Sequence, residues 1–482
     1  MCPQAQPFLL RVVKRGHKNI GMKINFWSAI SNSFPKDFCS RDAQILETYG
    51  RDWTTVFDPK PSAVVFPRQT DEVASFLKLC LSFGVAVVPS GGRTGLAGGA
   101  VAKNGEIVVS LERMNKVGSV DTMAQTVRVQ AGAVTQAVHE HCMQAGLTWP
   151  VDFASKGSSQ IGGNIATNAG GVRVIKYGST RNWVLGLQIV TMAGDIFELN
   201  GSLEKNNTGV DLKQLFIGSE GTLGIITEAT LKLTTALVER DVFFFALKDT
   251  PAVLRLFYEA RKAPIELHAF EMFTDGCLDA VIKIMALKPP FVESAGKAYV
   301  LMEIKKDGQG VEEWLAGLFK DGLIMNGIMA QSEREARDLW ALRENIAESL
   351  YRTAFLHKND IAVPVADLDG FVSEMEDMFR KHYAKLDLYF FGHIGDGNLH
   401  INTLKPSNLN KDDFLLACHE TDKDLFSLVQ KFKGSVSAEH GIGLLKKDSL
   451  HYSRSAVEME IMRKIKKVFD PQGLMNPGKI FD

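Results

Sequence analysis

Two short segments hold the residues with the clearest chemistry. In FFGHIGDGNLHIN (390–402), His393 and His400 flank a turn at Gly395-Asp396-Gly397-Asn398. Seven residues apart on one straight strand, they would face opposite sides. Folding the chain at the turn lets both imidazoles converge, and Asn402, two positions beyond His400, shares its face. In SAEHGIGLLKKD (437–448), Glu439 and His440 stand side by side before a glycine turn. Two imidazoles and one carboxylate leave a tetrahedral metal with an open position, as catalytic zinc requires. His440 beside them can accept a proton near neutral pH, with an ordinary pKa of ~6.5. Taken alone, the histidine pair also fits two satisfied polar side chains at a hairpin. The full set would equally suit a zinc hydrolase that activates water.

Three glycine-rich segments form a second group: PSGGRTGLAGGA (89–100), KGSSQIGGNIATNAGGVRVIKYGS (156–179) and DLKQLFIGSEGTLGIITEATLKL (211–233). None has the glycine-lysine-Ser/Thr spacing of a Walker loop, and none is the dinucleotide fingerprint with its ribose acid. Tight turns in a glycine-rich β region would explain any one of them. Together, with Ser158, Ser159, Asn164, Thr167, Asn168 and Ser219 among the glycines, they supply many uncharged donors to a long, flat, doubly phosphorylated ligand. Bare backbone N–H groups approach such an anion closely.

The elements that must position these residues are legible in outline. Thr70 is placed to cap a helix with Asp71 and Glu72 in its first turn and Val73, Phe76, Leu77, Cys80 and Leu81 on one face. Gly84 ends it, and a short strand over 85–89 feeds the first glycine loop. Strands are expected at 107–111 and 126–130, a helix at 134–144, and a hairpin over 184–199 turning at Ala193-Gly194-Asp195. From about residue 237 glycine thins, and Phe243-Phe244-Phe245 reads as buried strand. Glycine signals resume after 425, and Pro471 and Pro477 close a terminal amphipathic helix. The chain therefore divides into a lead-in (1–58), a glycine-rich α+β domain (59–236), a second α+β domain (237–425) and a C-terminal segment (426–482) that returns to the first.

The 482 residues suffice for large cores without disulfides or metal staples. With 55 basic against 56 acidic residues, net −1, no electrostatic case for nucleic acid arises. No run of 18 uncharged apolar residues is present, so no spanning helix is expected. Six scattered cysteines suit reduced, buried thiols and a cytoplasmic-type compartment. Arg11, Lys14, Arg15, Lys18 and Lys23 precede any acid. This start lacks presequence serine richness and reads as a flexible or over-extended beginning, with Met22 as an alternative initiator.

The glycine segments, including KYGSTRNWVLGLQIV (176–190), resemble the PCMH-type FAD domain of the vanillyl-alcohol oxidase superfamily. The resemblance implies a two-subdomain FAD-binding domain joined to an α+β substrate (cap) domain with an antiparallel sheet. It implies FAD contacts from Pro89, Gly91, Gly92, Arg93, Thr94, Gly95 and Leu96 around the pyrophosphate. Gly157, Ser158, Ile161, Gly162, Gly163, Thr167, Gly170, Gly171, Glu220, Gly221, Ile225 and Asn476 would surround the rest. The first loop has no histidine or cysteine, so a noncovalent flavin is expected.

The histidine segments and the closing DPQGLMNPGKIF (470–481) resemble the zinc-containing, FAD-linked D-2-hydroxyacid dehydrogenases that carry this domain. By that resemblance His393, His400 and Glu439 match ligands of Zn²⁺ or another divalent metal. His440 matches a base that also touches substrate, and Asn402 a substrate contact. In LRENIAESLYRTAFLHKND (342–360), Arg343 and Lys358 match cations for substrate carboxylates. The nearest motif match acts on D-2-hydroxyglutarate, with D-lactate the runner-up. One departure stands out: Ala347 occupies the place of a threonine four residues after the arginine. The implied partners are a small D-2-hydroxy acid and an electron acceptor, either an electron-transfer flavoprotein or a quinone, with oxygen also open. No nucleic acid or transmembrane segment is expected, and a homodimer is compatible. The expected location is cytoplasmic, including peripheral membrane association, or mitochondrial in a eukaryote.

Overall fold

Apolar residues at helical spacing decide where the first long element forms. In the computed structural model, described over residues 25–54, 56–236, 239–291, 296–306 and 310–481, Val73, Phe76, Leu77 and Cys80 make the buried face of the helix Thr70–Phe83. Gly84 ends it in the left-handed conformation, at φ 67°. Thr70 is not its cap. Gln69 takes the extended cap position, and Thr70 donates its hydroxyl to Gln188 Oε1 at 2.6 Å. A tertiary partner prevails over local capping. The basic stretch before residue 24 and Met22 lie outside the described residues.

The N-terminal part holds two main sheets, besides the two-stranded pair Leu147–Thr148 with Thr234–Thr235. Ala63–Val65, Ile107–Ser110 and Val87–Ser90 run parallel, with Cys39–Ser40 added antiparallel at one edge. Val117–Asp121, Thr126–Gln130, Ile225–Lys232, Val184–Val190 and Ile196–Leu199 form an antiparallel sheet in that spatial order. One apolar core joins the two sheets, with Phe76, Val109, Val129, Ile161 and Ile189 at its centre. The late residue Met475 is fully buried in that core, and its strand bridge to Val87 draws the chain tail onto the first sheet.

The second part is built on one seven-stranded antiparallel sheet. Its strand order is Asn326–Met329, Arg240–Leu247, Ala298–Lys305, Leu267–Thr274, Asp387–His393, Asn398–Leu404 and Leu356–Ala362. The alternation of strand side chains gives the two faces different fates. Phe243, Phe245, Phe270, Met272, Phe390 and Ile401 face helices Thr250–Lys262, Leu368–His382 and Lys411–Lys431. Phe244, Phe273, Tyr299, Leu301 and Phe391 face the opposite way, under helices Asp275–Met285, Glu333–Glu344 and Ile346–Thr353. Each fully buried Phe contributes roughly 1.5–3 kcal/mol. On the second face the apolar cover stops short of the last strands, where charged residues take over. Among the described residues no helix is long and apolar enough to cross a membrane, and Cys39, Cys80, Cys142, Cys277 and Cys418 are free thiols.

Candidate active site

Strand register brings the charged residues together. The tight connection Ile394–Asp396, closed by Gly397 at φ 80°, folds Asp387–His393 back against Asn398–Leu404. His400 pairs with Phe391 on one side and Asp360 on the other, while Asn402 pairs with Tyr389 and Lys358. Glu271 pairs with His393. Glu271, His393, His400, Asn402, Asp360 and Lys358 therefore share the face that the helices leave uncovered. Glu439 and His440 come from the loop after Ser435, whose backbone bridges Ala362 at the sheet edge.

Glu439 sits between the two imidazoles. Its Oε1 is 3.6 Å from His393 Nε2 and its Oε2 is 3.8 Å from His400 Nε2. Both distances exceed a hydrogen bond. They approach the edge between two ligand atoms of one tetrahedral ion, about 3.4 Å for ligands at zinc distance. Each imidazole stands at about that distance from its own carboxylate oxygen, and two imidazoles with a carboxylate are chemically suited to a divalent cation. His393 turns its other nitrogen, Nδ1, to Glu271 Oε1 at 2.7 Å, the outer carboxylate that ligating histidines usually have. Asp360 faces Nδ1 of both His400 and His440, at 3.7 and 3.6 Å. Ligand atoms of Asp360, His400, Glu439 and His440 all lie within 4.8 Å of one another. Asp360, however, is already engaged. Its Oδ2 accepts the backbone N–H groups of Ala438, Glu439 and His440, and its Oδ1 accepts Asn398 Nδ2.

Burial and charge set the protonation pattern. Burial lowers the His440 imidazole below its ordinary value, so it is neutral and able to accept a proton. Burial likewise lowers His400. At His393 burial opposes the charge, but Glu271 and Glu439 prevail and raise it to about 9. Burial raises Glu439 to about 7.

The cations are placed differently from each other. Arg343, on the helix Glu333–Glu344, lies over the Phe391 ring at 4.8 Å and gives Nε and Nη2 to Glu271 Oε2, each at 2.8 Å. Lys358 is exposed at its strand position, 5.9 Å from the Tyr351 ring centroid, and has no ion-pair partner among the described residues. Ala347 is exposed in the first turn of the next helix. Asn402 is buried and donates to the His400 carbonyl.

The glycine segments meet this face from the other side. A Cβ on Gly92 would stand 2.1 Å from the Ser158 carbonyl, and one on Gly171 2.0 Å from that of Asp152. Gly162 packs on Ala131, and Gly170 lies beside Glu439, whose Oε1 is 3.4 Å from where a Cβ would be. Gly221, at φ 71°, rests against the Pro89 ring. Beside these loops, Asp52 Oδ2, Ser90 Oγ, Gln160 Oε1 and Asn476 Oδ1 are buried and unpaired within the protein. Close backbone approach with spare polar atoms fits a dinucleotide threaded between the loops. Gly91 to Thr94 and Leu96 are part-exposed, Gly95 is exposed, and Arg93, at φ 58°, stacks on Tyr49. Gly157, Ser158, Ile161 and Gly163 form the turn and helix start facing that loop. Thr167 donates to the Gly163 carbonyl, and Ile225 opens a buried strand. Glu220 spends its carboxylate on the N–H groups of Ile442 and Gly443. Asn476 Nδ2 donates to the carbonyls of Gly99 and Glu220.

The family described as FAD linked oxidases, C-terminal domain, matches residues 238–480, and a family described as FAD binding domain matches 61–200. This chain belongs to the FAD-linked oxidases. Two bacterial relatives are each named D-2-hydroxyglutarate dehydrogenase. The one from Stutzerimonas stutzeri is 45% identical over 91% of this chain and 95% of its own length. That from Xanthomonas citri pv. viticola is 47% identical over 91% and 93%. A mitochondrial relative of the same name from Arabidopsis thaliana is 36% identical over 91% and 78%. Among solved structures, 4-ethylphenol oxidase from Gulosibacter chungangensis superposes with TM-score 0.72 at 16% identity, covering 95% of this chain and 96% of that one. At that identity the likeness speaks for the fold alone.

This FAD-linked oxidase also places beside the candidate site three buried charged residues that sequence reading missed. Asp360 and Glu271 are buried carboxylates in strands, and Lys446 donates to the carbonyls of Asp360 and Val436. A signal for Glu271 exists in HAFEMFT (268–274): one acid amid apolar strand residues is rarely buried without a partner.

Proposed function

We propose that this FAD-linked oxidase oxidises D-2-hydroxyglutarate to 2-oxoglutarate at the face shared by His393, His400, Glu439 and His440. The observation that carries the reading is the convergence of two imidazole Nε2 atoms on one carboxylate, with His440 adjacent and a glycine loop alongside. His393, His400 and Glu439 would hold a divalent cation, Zn²⁺ or another such ion, since two imidazoles and a carboxylate also suit Mn²⁺, Fe²⁺ or Co²⁺. When bound, that ion polarises the hydroxyl and carboxylate of the substrate, and FAD accepts the hydride.

The chain's own residues do the rest. His440, neutral through burial, takes the hydroxyl proton at an imidazole nitrogen, while Asp360 fixes the loop that carries it. Asn402 orients the reacting end. Arg343 and Lys358 hold carboxylate charge, Arg343 through its planar fork and Lys358 as a point charge. The flavin is noncovalent, because residues 89–96 offer neither histidine nor cysteine. An electron-transfer flavoprotein or a quinone takes the electrons onward. The free cysteines support a reducing compartment.

A panel of D- and L-2-hydroxy acids with a dye acceptor, on protein analysed for metal and flavin, tests this reading. D-2-Hydroxyglutarate is expected to have the highest kcat/KM. D-Lactate better by more than about tenfold would replace the dicarboxylate with a monocarboxylate substrate.

A further inference from the structure

Glu271 lies in the apolar strand Leu267–Thr274 and is wholly buried, with Ala269 and Phe273 before and after it on the same face. A carboxylate there keeps its charge only if both oxygens are served. They are served by two different parts of the site. Oε1 accepts His393 Nδ1 at 2.7 Å, and Oε2 accepts Arg343 Nε at 2.8 Å with Nη2 equally close. Among the described residues these are its only hydrogen-bond partners.

Two consequences follow from this division. When His393 gives up one proton to bind a metal ion, it keeps the Nδ1–H that Glu271 accepts and presents its lone pair at Nε2, the nitrogen that faces Glu439 at 3.6 Å. Arg343, in turn, has one edge of its guanidinium occupied, which sets the direction in which its remaining nitrogen points. One rigid carboxylate thus ties a candidate metal-binding imidazole to a candidate substrate cation. Strand pairing holds that carboxylate opposite His393.

We infer that Glu271 is a positioning residue that couples the two, fixing the His393 tautomer for a metal ion while aiming the Arg343 fork at a substrate carboxylate. The inference rests on the function proposed above. It concerns a residue that touches neither metal nor substrate.

Glu271→Gln separates the possibilities because an amide has one accepting and one donating end. With its oxygen on Arg343, its NH₂ faces His393 Nδ1 and drives the ring proton to Nε2, where it blocks ligation. Flipped, the NH₂ opposes the Arg343 N–H groups. The cationic Arg343 fork holds the amide oxygen more strongly than a neutral imidazole does, so the first orientation prevails. Zn²⁺ affinity, measured by competition with a chromophoric chelator, is expected to fall about 10- to 100-fold in E271Q. KM for D-2-hydroxyglutarate is expected to rise, with flavin content and visible spectrum unchanged. Glu303→Gln removes another buried carboxylate of the same face, one paired with Arg173. It is expected to leave Zn²⁺ affinity within about threefold. An equal loss in E303Q would mean general loosening and overturn the inference. Should E271Q yield no flavin-loaded protein, Glu271→Asp is read instead. It keeps the charge, but a shorter stem cannot span both partners and stays with the stronger one, the charged Arg343 fork, so the same Zn²⁺ loss is expected. Zn²⁺ affinity within about threefold of the unsubstituted protein in the variant that folds would overturn the inference. If the unsubstituted protein binds no Zn²⁺, the proposed metal fails and the His393 half of the inference falls with it. KM then decides the Arg343 half, and an unchanged KM overturns that too.

Discussion

At the scale of single residues, two buried acids, Glu271 and Asp360, tie together the groups around the histidines. Asp360 gathers three consecutive backbone N–H groups onto one oxygen, and an amide in its place turns a donor towards one oxygen's partners. Asp360→Asn is expected to lower kcat about 10- to 100-fold and to reduce bound metal while flavin content stays constant. Metal analysis beside flavin absorbance checks this, and normal metal with low kcat would limit Asp360 to His440. Substrate choice turns on smaller groups. A hydrogen bond to a charged group is worth about 1.5–3 kcal/mol, so Ala347→Thr should raise kcat/KM for D-2-hydroxyglutarate roughly tenfold or more and leave D-lactate unchanged. Equal gains on both substrates would place that hydroxyl away from the distal carboxylate. Lys479, buried and donating to the Val101 carbonyl, has its pKa lowered by burial from 10.5 to about 8. The folded state therefore releases this proton first, and stability gains from Lys479 as pH rises from about 8 towards 10.5. Thermal melts of Lys479→Met against the unsubstituted protein should show the variant losing ground steadily across that window. His393, His400, Glu439 and His440 were legible because turn glycines stand beside them. Glu271 and Asp360 were not, because their partners His393 and Asn398 lie 122 and 38 residues away and only strand register unites them.

At the scale of elements, glycine and strand alternation do the positioning. Gly92 lets the loop after Val87–Ser90 pass against the Ser158 carbonyl, and no side chain fits there. Gly92→Ala should therefore yield protein without flavin, read as lost visible absorbance after purification. Gly163 differs: a Cβ there meets no protein atom within 4 Å, and its φ is not in the left-handed region. Gly163→Ala should fold normally, with a melting profile unchanged in flavin-free protein. A weaker flavin affinity in that variant would report contact with the cofactor itself; an unchanged affinity would take Gly163 out of the cradle. The strands that the sequence reading named form within about three residues of their expected bounds, but others, among them Ile225–Lys232, Leu267–Thr274, Ala298–Lys305 and Leu356–Ala362, were not named. Thr126–Gln130 and the hairpin over 184–199 form as expected. Thr70 misled because its hydroxyl finds Gln188, 118 residues on. Local capping rules cannot anticipate such a partner. The order of the seven-stranded sheet was equally invisible, since Leu356–Ala362 ends beside Asn398–Leu404 rather than beside its predecessor in the chain.

At the scale of the whole molecule, the glycine-rich part and the seven-stranded sheet are held together by ion pairs close to the site. Arg173, two residues after Gly171, donates to Asp152 on its own side and to both oxygens of Glu303 on the sheet. Trp340 adds an indole N–H to Glu303, and Arg240 stands 3.4 Å away. Removing one partner of a buried pair costs about 3–5 kcal/mol. Arg173→Ala is expected to split thermal unfolding into two transitions with separate midpoints in calorimetry; one undivided transition would mean that other contacts hold the parts together. A second seam joins the C-terminal segment to the glycine-rich part, where Glu220 receives the N–H groups of Ile442 and Gly443 and Asn476 reaches Gly99. This seam imposes an order in time. The ribosome delivers the glycine loops and both histidines first, and Glu439, His440 and Asn476 only afterwards. A growing chain thus has the strands of the sheet before it has His440, the proposed proton acceptor. Under the proposed function, the bridge of Met475 to Val87 is therefore a late event that brings the last candidate groups to a face already laid down by the strands.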